Sequence, residues 1–78
     1  MFNNGIEEHE VEDVLSHPSE DRSGRDGSRV AIGQTDDGRC LRVIYVPDPH
    51  PGRVFVITAY ELQGKALTAF RRRQRRRH

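Results

Sequence analysis

The 78-residue chain carries 13 basic and 12 acidic side chains, a formal net charge of +1, with 33% hydrophobic and 32% charged residues. A chain this short has room for one domain, residues 1–78, with a core of two or three layers and no large substrate cavity. No run approaches the roughly 18 apolar residues of a membrane span, and the acidic start lacks the basic and then apolar pattern of a signal peptide, so a cytoplasmic location without a membrane partner is expected.

Asn4 followed by Glu7 has the spacing of a capping box, and Val11, Val14 and Leu15 then recur at helical spacing with Ile6 near the start. This predicts a first helix, ended by His17 and Pro18 because the residue before proline is pushed out of the helical region. Residues 19–28 are polar, with no apolar anchor, and read as an exposed connection. Arg29 to Gln34 and Arg39 to Val46 read as strands from their punctuation and are joined by Thr35, Asp36, Asp37 and Gly38, whose Asp-Gly pair suits a tight hairpin turn. Cys40, the only cysteine, excludes an intramolecular disulfide and a Cys-rich zinc site and reads as a small buried side chain. After the stiff loop from Pro47 to Gly52, Arg53 to Ile57 forms a third strand. Leu41, Val43 and Tyr45 share one face, with Val54 and Val56 as expected neighbours across the pair. Thr58 and Glu61 repeat the capping-box spacing, and Leu62, Ala66, Phe70 and Leu67 give a second amphipathic helix, in which Gly64 costs about 1 kcal/mol relative to alanine. The apolar face runs out at Gln74, leaving residues 71–78 as a basic, fraying tail. The expected fold is α+β: a three-stranded antiparallel meander flanked by two helices, in the order α-β-β-β-α.

The small net charge hides a dipolar distribution. Residues 1–38 hold 3 basic and 10 acidic side chains, and residues 39–78 hold 10 basic and 2 acidic ones. Six arginines crowd the last eight residues, and guanidinium groups bind phosphate oxygens through paired hydrogen bonds, so Arg71, Arg72 and Arg73, with Arg42 on the second strand, are candidate nucleic-acid contacts. Cations at a helix C-terminus are also favoured by the helix dipole alone, so a solvated helix end accounts for the same run. Arg39, Arg42 and Arg53 would be held by strands at fixed positions facing the basic last helix, and preorganised guanidinium groups can stabilise the charge that develops in phosphodiester cleavage without a metal. Tyr60 and Lys65 then offer a proton donor or a further phosphate contact.

His9, His17, His50 and His78 lack the close spacing of a compact metal site. No glycine-rich phosphate loop, nucleotide fingerprint or Ser-His-Asp signature occurs, which removes ATP and NAD chemistry and leaves no cofactor expected.

Three segments, Gly5 to Leu15 (GIEEHEVEDVL), Ala31 to Arg39 (AIGQTDDGR) and Arg53 to Leu62 (RVFVITAYEL), together resemble the BrnT family of toxins. The likeness lies in a glycine-led acidic helix, a G-x-T-D-x-G-R hairpin, an arginine-led last strand and a terminal helix rich in arginine. What it implies is a RelE-like fold and a metal-independent ribonuclease, the toxin half of a type II toxin-antitoxin pair neutralised by a cognate antitoxin. Carried over by position, Arg39 and Arg53 match arginines of the family, whereas Tyr60 stands where many relatives have arginine and Asn3-Asn4 where they have Lys-His. The chain begins where many relatives have a preceding Trp-Asp-containing segment. On this resemblance the catalytic candidates are Arg39, Arg53, Tyr60 and Lys65, with Arg71 beside them. Two other readings fit the same residues: a non-catalytic module whose basic face binds nucleic acid or an acidic protein, and self-association of the acidic first helix with the basic last helix of a second copy.

Overall fold

The structure, a computed structural model, describes residues 5–50 and 53–76. Its elements follow the order α1 (Glu8–Ser16), β1 (Glu20–Ser23), β2 (Arg29–Gln34), β3 (Cys40–Pro47), β4 (Val54–Glu61) and α2 (Gly64–Arg76). The strands form one antiparallel sheet in sequence order, β1-β2-β3-β4. The α+β expectation holds, but the sheet has four strands where three were expected.

The additional strand is β1, within the segment expected to be an exposed connection. Its sequence, Glu-Asp-Arg-Ser, carries no apolar residue, and partners elsewhere hold it in place. Glu20 pairs with Ile32 and Ser23 with Arg29 in the ladder to β2. Edge strands that are short and charged resist unwanted pairing, which explains this composition.

Alternation along the strands sends side chains to two faces, and each face meets one helix. On the first, Ala31, Leu41, Val43, Tyr45 and Ala59 pack against Ile6, Val11 and Val14 of the α1 region. On the second, Val30, Ile32 and Cys40 pack with Leu62 and with Phe70 of α2. The sheet is thus the middle layer of three. Leu41, Val43 and Tyr45 lie on the α1 face as their spacing requires. Val56 packs beside them, but Val54 is 45% exposed. Ile44 pairs with Thr58 and Tyr45 with Val56, so Ile57 is an extra residue that bulges out of β4 and brings Val56 onto the α1 face, while Val54 lies on the same face at the open end of the strand pair, opposite Pro47.

The hairpin between β2 and β3 closes as the sequence implies. The Thr35 amide donates to the Arg39 carbonyl at 2.7 Å, the Gly38 amide donates to the Thr35 carbonyl at 2.9 Å, and Gly38 adopts φ +90°.

Both helix starts differ from the sequence expectation. Asn4 lies outside the described residues. The reciprocal box is Glu7 with Glu10, the Glu7 amide donating to Glu10 Oε1 at 3.1 Å, so α1 begins at Glu8. At the other end of the chain, Thr58 and Glu61 remain in β4 because Ala59 is fully buried opposite Val43, and the Leu62 amide continues the ladder by donating to the Cys40 carbonyl at 2.9 Å. α2 therefore begins at Gly64, whose φ of +58° suits glycine at the turn out of the strand. Glycine is a requirement of that turn and not a helix-interior cost. The arginine run is helical through Arg76. No helix among the described residues is long and apolar enough to cross a membrane.

Candidate functional site

The arginines singled out from the sequence do not all face the last helix as expected, because strand parity sends Arg39 and Arg42 to opposite sides of the sheet. Arg39 stands just before β3 on the α1 face, where its Nη1 donates to Glu10 Oε1 and Oε2 at 3.1 and 3.2 Å and its Nη2 donates to Glu61 Oε1 at 3.1 Å. The Glu61 hydrogen bond, aided by the charge of Glu10, raises the guanidinium above its already high ordinary range. Glu10 is itself buried, at 3% exposure. This cluster ties α1, the hairpin and the end of β4 together. Arg53 lies at the opposite end of the β3-β4 pair, roughly 25 Å away by the rise per residue of β3.

Arg42 points to the other face. It pairs with Tyr60 across the β3-β4 ladder, and its guanidinium carbon sits 5.9 Å from the centre of the Tyr60 ring, within range of a cation–π contact. Its Nε is buried without a hydrogen-bond partner among the described residues. A buried donor left unpaired is costly, and a small outward turn of the side chain toward an acceptor would relieve that cost.

Such an acceptor would arrive through a groove of about 490 Å³ between β1, the sheet and α2. Arg22, Arg25, Arg42 and Arg73 line it above an apolar floor that includes Val30, Ile32, Ile44 and Leu62. Four guanidinium groups around one opening suit a polyanion whose non-ionic parts can rest on apolar surface. Glu20 organises two of them: Arg73 donates to it at 2.6 and 3.0 Å, and Arg22 at 2.9 Å. Arg22 and Arg25 carry no distinctive spacing; they reach the groove only because their segment folds along the sheet edge, and that edge has no apolar pattern to reveal it.

The Arg73 hydrogen bond holds the Glu20 carboxyl below its ordinary value of 4.5; partial burial opposes this, and the charges of Arg73 and Arg22 assist it. A depressed folded-state pKa gives stability that is fully present above the unfolded value and is lost as pH falls through the folded one. Glu20→Gln is therefore expected to lower the denaturation midpoint at neutral pH and to flatten its decline below about pH 4.5. Urea titrations at a series of acidic pH values check this; parallel declines for both proteins would exclude the linkage.

Lys65 and Arg72 are exposed and border a separate depression along α2 with Gly64 and Thr68. Arg71, also exposed, borders another with Gln34 and Phe70. The structure thus brings Arg42 and Arg73 to one groove with Tyr60 beside Arg42, and leaves Arg39, Arg53, Lys65, Arg71 and Arg72 outside that group. No cluster of three or more His, Cys, Asp or Glu side chains able to hold a metal ion occurs among the described residues.

A family model described as a domain of unknown function, DUF4258, matches residues 1–61. The match spans α1 and all four strands and stops before α2, so Arg22, Arg25, Arg42 and Tyr60 lie inside it and the arginine run lies outside. No curated protein and no solved structure matches the chain. With well over half of its length covered, the chain belongs to the DUF4258 family.

Proposed function

We propose that this domain binds RNA in the groove between α2 and the sheet, with Arg42 as the central phosphate contact and the cytoplasm as its place of action. The observation that carries the proposal is Arg42 itself: a guanidinium in mid-sheet, with a buried Nε lacking a partner and no carboxylate paired to it among the described residues. A phosphate would supply both the charge and the acceptor. Arg22, Arg25 and Arg73 line the same groove and can follow the backbone of a bound strand.

A second reading rests on the Arg42–Tyr60 pair. A phenol beside an unpaired guanidinium supplies a proton donor for the leaving oxygen next to a group that stabilises negative charge, two of the contributions that metal-free phosphodiester cleavage needs, with water taking the proton of the attacking hydroxyl. This is the toxin-type endoribonuclease of a toxin-antitoxin system that the likeness to BrnT toxins and their RelE-like fold implies, held inactive by a cognate antitoxin. In that reading Arg42 replaces Arg39 as the transition-state cation, because Glu10 and Glu61 already engage Arg39.

One experiment addresses both. The chain is incubated with single-stranded RNA in the presence of a chelator, binding is followed as salt rises, and RNA length is followed on a gel. Arg42→Gln is expected to weaken binding about tenfold and to make the salt dependence shallower by about 0.7 in log–log slope for the lost phosphate contact. Binding equal to that of the unaltered chain would remove the proposal. RNA shortened by the unaltered chain but left intact by Tyr60→Phe, with binding retained, would establish the ribonuclease.

A further inference from the structure

The face of the sheet that carries Arg42 is only partly covered by α2. Cross-strand pairing sets Arg42 beside Tyr60, Ile44 beside Thr58 and Val46 beside Phe55, in three successive rows on that face. Ile44, Val46, Thr58 and Tyr60 are half-buried, and Phe55 is 69% exposed. A large aromatic ring left in water at the end of such a row costs hydrophobic free energy unless something flat covers it.

We infer that this open face is a platform for single-stranded RNA, with a nucleobase stacked on Phe55 while the backbone enters the groove at Arg42. The inference rests on the RNA-binding proposal above and adds which form of nucleic acid is bound and which residue meets the bases. Three observations select this occupant. The three rows contain no carboxylate, and that of Asp48, the next along β3, is turned to the His50 amide and ring. Cations stand at both ends, Arg42 at one and exposed Arg53, two residues before Phe55 and across from Asp48, at the other. The Phe55 ring lies roughly 13 Å along the strands from the Arg42 row, so a strand held at both ends passes over it. Stacking of this kind needs unpaired bases, because a duplex keeps its base faces inside its own stack.

The test uses the full chain with three probes: a short single-stranded RNA, the same sequence annealed into a blunt duplex, and inorganic polyphosphate. The unaltered chain is expected to prefer the single strand. Phe55→Ala should weaken binding of that strand roughly tenfold while leaving polyphosphate unchanged, and Phe55→Trp should retain it. Because Phe55 is mostly in water, neither variant disturbs the core. If Arg42→Gln weakens RNA binding but Phe55→Ala does not, the platform is overturned and the groove proposal stands. Equal affinity for duplex and single strand also overturns it. Failure of the unaltered chain to bind either RNA removes both proposals. Self-association abolished by Phe55→Ala, with RNA affinity unchanged, assigns the patch to a second copy and overturns the inference.

Discussion

Leu41→Ala is expected to lower the unfolding free energy by about 3 kcal/mol, the usual cost of removing a leucine side chain from a closed core. Leu41 is fully buried on the central strand β3, between Gly33 on β2 and Glu61 on β4, and belongs to the cluster that holds α1 against the sheet. At Gly33 the end of α1 and the turn after it lie close to β2, where a Cβ would make ordinary contacts with Val14, the His17 carbonyl and Pro18 at 3.4 to 3.6 Å. A chain of this size has stability near the low end of the usual range, so the thermal midpoint should fall by roughly 15 °C. Val54→Ala, at a position 45% exposed, is the control and should change stability by less than about 0.5 kcal/mol. Thermal melts of both variants decide the matter: equal midpoints would mean that the α1-facing cluster is not the core of the fold.

The central hairpin was legible in the sequence because its signals are local. Alternating apolar residues and an Asp-Gly turn define β2 and β3 without help from the rest of the chain. β1 was not legible, since four polar residues become a strand only when Glu20 finds Arg73, more than fifty residues away, and Tyr45 donates to Asp21 at 2.8 Å. The start of α2 was misplaced for a related reason. Thr58 and Glu61 have the spacing of a capping box, but Ala59 is required in the core opposite Val43 and Glu61 is required at Arg39, so pairing overrides the local signal.

The candidate site divides along the same line. That arginines matter was readable from their number; which of them share a face was not, because it depends on strand parity and on what each helix covers. Arg39 and Arg42, three residues apart, point to opposite sides of the sheet, one engaged by two carboxylates and the other paired with none among the described residues. The tail, conspicuous as composition, contributes Arg73 to the groove, the one arginine of the run there among the described residues.

Arg39→Met is expected to damage stability and spare binding, the reverse of Arg42→Gln. Removing the guanidinium leaves Glu10 buried with no cation to offset its charge, and an uncompensated buried carboxylate is among the more destabilising changes a small domain can suffer. The thermal midpoint should drop by roughly 10 °C at neutral pH. The added substitution Glu10→Gln removes the stranded charge while its amide oxygen still accepts from the Glu7 amide at the start of α1, so the double variant should recover most of the loss. At temperatures where Arg39→Met remains folded, its affinity for single-stranded RNA should equal that of the unaltered chain, because the Arg39 side chain and the groove are on opposite faces of the sheet. Arg42→Gln should melt close to the unaltered midpoint and bind weakly. Paired melting and binding measurements on these variants separate a structural arginine from a ligand-binding one. An Arg39→Met protein that melts normally yet no longer binds or cleaves RNA would move the chemistry to the α1 face, onto the arginine that the resemblance to the toxins singles out.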